Sequence, residues 1–119
     1  MSILDFRHTP GEPGATWNSR GVQIEKRYDG PISAVVLADA KGVLIIEPCS
    51  KGPSNAVILN EDGSERIRIR NPFSQQGAVC FTDAGYEGAE LTLISRSRGL
   101  EMAFVIDEHG NGLRQYEIR

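Results

Sequence analysis

Val43-Leu44-Ile45-Ile46 and Ala56-Val57-Ile58-Leu59 are apolar at every position. Each run is four residues long, is rich in β-branched side chains and lies among Gly, Pro, Asn and Asp. Such runs read as strands rather than helices. Met102-Ala103-Phe104-Val105-Ile106 is a third run of this kind. Successive side chains of a strand point to opposite faces. A strand apolar at every position therefore needs cover on both faces. Other stretches behave differently. Val22, Ile24 and Tyr28 alternate with Gln23, Glu25 and Arg27, and Ile67 and Ile69 alternate with Arg66, Arg68 and Arg70. Those strands have one wet face.

The two-sided strands belong to a repeat of apolar strand, polar Gly-containing turn and second strand. Its four copies are 35–45, 57–67, 79–93 and 104–113. The last apolar residues before the turns are Leu37, Leu59, Phe81 and Ile106, so the first three lie 22 residues apart. The third turn is expected at Thr82-Asp83-Ala84-Gly85. Asp62-Gly63 between alternating strands is a strong hairpin signal, because Asp tolerates left-handed geometry and Gly supplies positive φ. Tyr28-Asp29-Gly30-Pro31 is a further turn.

The resulting expectation is an all-β antiparallel meander of about nine strands in hairpins of about 22 residues. The strands fall at 22–28, 32–38, 42–47, 55–60, 64–70, 77–82, 89–96, 100–106 and 112–118. Hairpin spacing and two-sided strands resemble half-blades of a propeller. A bent sheet, a sandwich or a barrel also fits, as does burial of the second face in a homo-oligomer or against a partner. Residues 1–21 read as an N-terminal arm or loop, given two Pro and three Gly between His8 and Gly21, and 22–119 as one β domain.

Composition narrows the function classes. The chain has 119 residues, a formal net charge of −3 and a pI near 5.4. A nucleic-acid binder presents a basic face, so no nucleic-acid partner is expected. The opening Met1-Ser2-Ile3-Leu4-Asp5-Phe6-Arg7 lacks the features of a signal peptide and no run reaches membrane-spanning length, so a cytoplasmic protein without a membrane partner is expected. Cys49 and Cys80 are accordingly expected as thiols, Cys80 buried and Cys49 exposed in a loop.

No cofactor or metal motif occurs. His109 in Asp107-Glu108-His109-Gly110-Asn111 reads as a turn residue rather than a base oriented by Asp107. The alternating Asp107, His109 and Asn111 do not complete a calcium loop, because Ile118 stands where the bidentate Glu belongs. Gly110-Asn111-Gly112 opens a strand and is a turn, not a phosphate cradle.

The candidate partner-binding residues are the aromatics Trp17, Phe73 and Tyr86, placed in loops, and the stripe Arg66, Arg68 and Arg70. Arg96 and Arg98 form a shorter stripe. Large aromatics and Arg dominate interface hot spots. The competing reading makes the aromatics local core and pairs the arginines with acidic neighbours such as Glu61, Asp62 and Glu65. Together these features favour a non-enzymatic protein–protein interaction module with a protein partner or itself as partner. By analogy it would be immunity-like or an assembly subunit. A small-ligand binder would need a cavity lined by Leu91, Leu93, Met102 and Phe104. A small hydrolase would need carboxylates such as Glu87, Glu90 and Glu101 paired across strands.

Overall fold

The computed structural model describes residues 2–74, 80–97 and 99–118. The first three residues of the strand expected at 77–82, and Arg98 of the shorter basic stripe, lie outside that set. Among the described residues eleven strands follow one another in chain order: β1 Leu4–Arg7, β2 Gly14–Ser19, β3 Val22–Arg27, β4 Ser33–Val36, β5 Gly42–Ile46, β6 Ala56–Asn60, β7 Glu65–Ile69, β8 Cys80–Glu87, β9 Glu90–Ser97, β10 Leu100–Ile106 and β11 Gly112–Ile118. They form three antiparallel meanders, with orders β1-β2-β3, β4-β5-β6-β7 and β8-β9-β10-β11. Each of the nine expected strands overlaps one of these strands, that at 77–82 only over 80–82 among the described residues.

The three sheets stack, and the register shows why. Ile45 lies opposite Val57 and Val43 opposite Leu59. These four side chains pack with Ile3, Ala15, Trp17 and Ile32 in one core. One residue out of phase, Leu44 lies opposite Ile58 and Ile46 opposite Ala56. Those four pack with Phe81, Leu91, Leu93 and Ile106 in a second core. The N-terminal sheet thus covers one face of the central sheet and the C-terminal sheet covers the other. Each buried aliphatic side chain contributes about 1.5–3 kcal/mol. The cover that the apolar runs require comes from the same chain, with no second copy or partner needed to supply it.

Two expectations about the chain are corrected. The stretch read as an arm or loop carries β1 and β2. Ala15, Trp17 and Ser19 alternate buried with the half-buried Gly14, Thr16 and Asn18, a period-2 pattern. The third turn is not at 82–85 either. Asp83 Oδ1 accepts from its neighbour Ala84 N–H at 2.8 Å, and the register with β9 shifts between Phe81 and Asp83. The chain makes a bulge there instead of a turn, with Thr82 as the extra residue. Pairing then continues to Glu87, and the turn is Gly88-Ala89, where Gly88 supplies a φ of 64°. Gly42 is required for another reason: a Cβ would sit 2.8 Å from Leu59 O.

Cys49 and Cys80 are joined in a disulfide, where two thiols were expected. Their Cα atoms are 5.4 Å apart across 31 residues of chain. The β5–β6 loop, with a short 3-10 turn at Cys49–Lys51, leans on the start of β8. Asn55 holds the same junction. It donates to Glu47 O at 2.7 Å and Phe81 O at 2.9 Å, and its Oδ1 accepts from Phe81 N–H at 2.7 Å. One buried amide thus satisfies both backbone groups of a residue in the next sheet. Among the described residues, no helix is long and apolar enough to cross a membrane.

Candidate protein-interaction surface

The arginines of β7 are largely committed within the molecule. Ile67 lies opposite Ile58 and Arg68 opposite Val57, so the isoleucines face the C-terminal sheet and Arg68 the other side. Arg66 donates from Nε to Asn60 Oδ1 at 2.8 Å, and from its terminal nitrogens to Glu108 O at 3.0 Å and Lys41 O at 2.9 Å. It ties three hairpin turns together. Arg68 holds Glu47 with two bonds, 2.7 and 3.1 Å, and also donates to Ser54 O at 3.1 Å. The Glu47 side chain is 8% exposed. Its bond to Arg68 raises the Arg68 pKa. Tyr28 lies beside this pair, and its pKa is raised, first by burial and then by the Glu47 charge. The three line a cleft of about 540 Å³ with Lys51, Pro53 and Ser54. Arg70 is exposed.

Of the three expected aromatics, Trp17 and Phe73 are buried and Tyr86 is half-buried. Trp17 is 1% exposed, and its Nε1 donates to Glu61 O at 2.7 Å. It reaches the first core from β2, a strand the sequence reading placed in a loop. Phe73 is fully buried and meets Phe104 edge-on, with centroids 6.5 Å apart at 80°. Tyr86 packs on the second core, and its hydroxyl accepts from Ala38 N–H at 2.9 Å, joining two sheets. A partner cannot reach Trp17 or Phe73 in this conformation.

The remaining candidates resolve similarly. Asp107 Oδ1 accepts from the amides of His109 and Asn111, and Oδ2 from the Asn111 side chain. The carboxyl pKa is lowered: its slight burial acts upward, but these bonds to the charged form outweigh it. His109 is an exposed member of that turn. Glu87 and Glu90 do lie opposite each other, but Glu90 bonds Arg114 and Glu101 pairs with Arg96. Leu91 and Leu93 are packed in the second core, with Phe104 against it. Among the described residues, no group of three or more His, Cys, Asp or Glu could hold a metal ion.

The far side of the C-terminal sheet is buried along its middle strands, where Ala103 and Val105 are 0% exposed, and accessible toward its edges. The register sets Gly85, Thr92, Val105 and Arg114 in one row across the four strands, and Asp83, Ile94, Ala103 and Tyr116 in the next. Both rows point away from the second core. β11 is the edge strand, and every residue from Gly112 to Glu117 is exposed. Leu113 is 60% and Tyr116 38% exposed. The Arg114 guanidinium lies 5.5 Å from the Tyr116 ring centroid while bonding Glu90. The edge thus exposes a Tyr and an Arg, residue types enriched at interfaces.

The fold is similar to that of a chain in the solved structure of Tne2 in complex with Tni2. The TM-score is 0.73 at 13% identity, covering 89% of this chain and 77% of that one. At that identity the likeness is one of fold. No protein-family model and no curated protein matches the sequence.

Sequence reasoning missed Tyr116, Leu113 and Thr92. Gly112-Leu113-Arg114-Gln115-Tyr116-Glu117-Ile118 has no clean alternation, and only the pairing with β10 assigns its faces. Thr92 sits between Leu91 and Leu93, where it reads as an ordinary strand residue.

Proposed function

We propose that this chain is a non-enzymatic protein-binding module of the immunity-like kind, docking one partner protein against β11 and the outer face of the C-terminal sheet. The observation that carries the reading is the bare β11 edge, with Leu113 and Tyr116 exposed beside Arg114. The fold likeness to a chain from a structure of two proteins in complex supports it. So does the commitment of Arg66, Arg68 and the buried aromatics to internal contacts, which leaves the exposed β11 edge as the freer surface. Arg70 and the outer edge of β7 are a secondary contact region in this proposal.

The test compares two baits in an affinity capture from the native host, with masses measured by light scattering. The baits are the wild type and a Leu113→Asp, Tyr116→Ala double variant. Hot-spot truncations cost about 2 kcal/mol or more, so the partner's affinity should fall about 30-fold. A partner held equally by both baits contradicts the docking face. A stable self-association lost in the double variant would make the partner a second copy.

A further inference from the structure

Thr92 is 3% exposed, and its hydroxyl oxygen is buried without a hydrogen-bond partner. Buried polar groups are nearly always bonded, so an orphan asks for a reason. Thr92 lies on the outer face of the C-terminal sheet, between Gly85 and Val105. Gly85 has no side chain to cover it, and a Cβ there would meet nothing within 4 Å. The result is a groove of about 230 Å³, lined among others by Asp83, Gly85, Glu87, Thr92 and Ile94. Ligand pockets run to about 300–1,000 Å³, so this one suits a single side chain better than a free small molecule.

The charge around it is one-sided. Asp83 and Glu87 line the groove and Glu90 stands opposite Glu87. Directly opposed like charges are unfavourable in a sheet, and one cation, Arg114, reaches Glu90. Glu87 has no hydrogen bond or ion pair among the described residues. Asp83 has one oxygen engaged by Ala84 N–H. The chain's own Arg114 already shows how this face holds a guanidinium, with a carboxylate at its head and the Tyr116 ring beneath it.

We infer that the Gly85–Thr92 groove receives an arginine or lysine side chain of the partner protein, with Glu87 and Asp83 pairing its charge and the buried Thr92 hydroxyl turning toward it on binding to accept its hydrogen bond. This rests on the protein-binding reading above and names the chemistry of the partner's anchor. The orphan hydroxyl is then an acceptor kept for the complex, and local consistency is broken where function needs it.

The test titrates the isotope-labelled protein with a capped Gly-Arg-Gly peptide, followed by NMR. Saturable shifts are expected at the Gly85, Glu87 and Thr92 amides. Gly85→Leu, which fills open space on ordinary strand backbone, should weaken binding at least tenfold, and Glu87→Gln severalfold. Thr92→Val should weaken binding while raising the melting temperature, a pair of effects that a purely structural threonine does not give. Shifts that do not saturate, that survive Gly85→Leu, or that calcium chloride reproduces at equal concentration overturn the groove. Peptide binding at the groove together with partner capture indifferent to Leu113→Asp, Tyr116→Ala and Gly85→Leu would overturn the docking face and leave the groove's chemistry standing.

Discussion

β6 and β11 are both strands of four-stranded meanders, yet they serve opposite ends. Ala56-Val57-Ile58-Leu59 of β6 is buried at all four positions, alternate residues entering different cores. Gly112–Glu117 of β11 is exposed throughout. The central strand is apolar on both sides because the chain folds a sheet over each. The edge strand mixes Leu, Arg, Gln, Tyr and Glu because nothing among the described residues covers it. An uninterrupted apolar strand specifies the stack, while a strand with no clean pattern marks the surface left for something else.

The contrast can be broken at its strongest seam first. The disulfide closes a 31-residue separation between the β5–β6 loop and β8. Replacing both cysteines by serine should cost about 3 kcal/mol in urea unfolding. An unchanged midpoint in wild type after reduction would mean that the junction is held without it. Asn55→Ala comes next, at about 2 kcal/mol, since it orphans the Phe81 N–H and C=O and bares Glu47 O. A cost below about 0.5 kcal/mol would show that the sheets do not depend on this amide. In β11, Leu113→Asp should move stability by no more than about 0.5 kcal/mol, since it alters an exposed site, while removing the partner. A large loss of stability would place Leu113 in the core and undo the comparison. The smallest effect is at Asp62, whose pKa is lowered chiefly by the Ser64 side chain. A lowered carboxyl contributes stability above its unfolded pKa of about 3.9 and loses it as pH falls through the folded value. Asp62→Asn should therefore flatten the acid limb of a pH–stability curve only below about pH 4, and flattening near neutrality would contradict the assignment.

Much of the stack was legible because its central strands are apolar without interruption and Asp62-Gly63 punctuates them. β1 and β2 were not, because Pro10, Gly11, Pro13 and Gly14 mark a turn so strongly that the alternation of Ala15, Trp17 and Ser19 beyond it was read as loop. The same turn signal places Trp17 in a loop. Phe73 sits in a true loop, but one folded inward against Phe104. The disulfide was hidden because it depends on a distance that no spacing encodes. The outer face of the C-terminal sheet was hidden because its rows exist only once β8, β9, β10 and β11 are in register. Thr82-Asp83 has the composition of a turn, and the bulge at Thr82 instead places Gly85 beside Thr92.

The central claim is that this chain shields both sides of its middle sheet. The most direct measurement is a pair of urea unfolding curves for Leu44→Ala and Ile45→Ala, neighbours that point into different cores. Each should lose about 2–5 kcal/mol. A full loss for Leu44→Ala with less than about 0.5 kcal/mol for Ile45→Ala, the behaviour of a surface site, would mean that the N-terminal sheet is not a cover and would contradict the account.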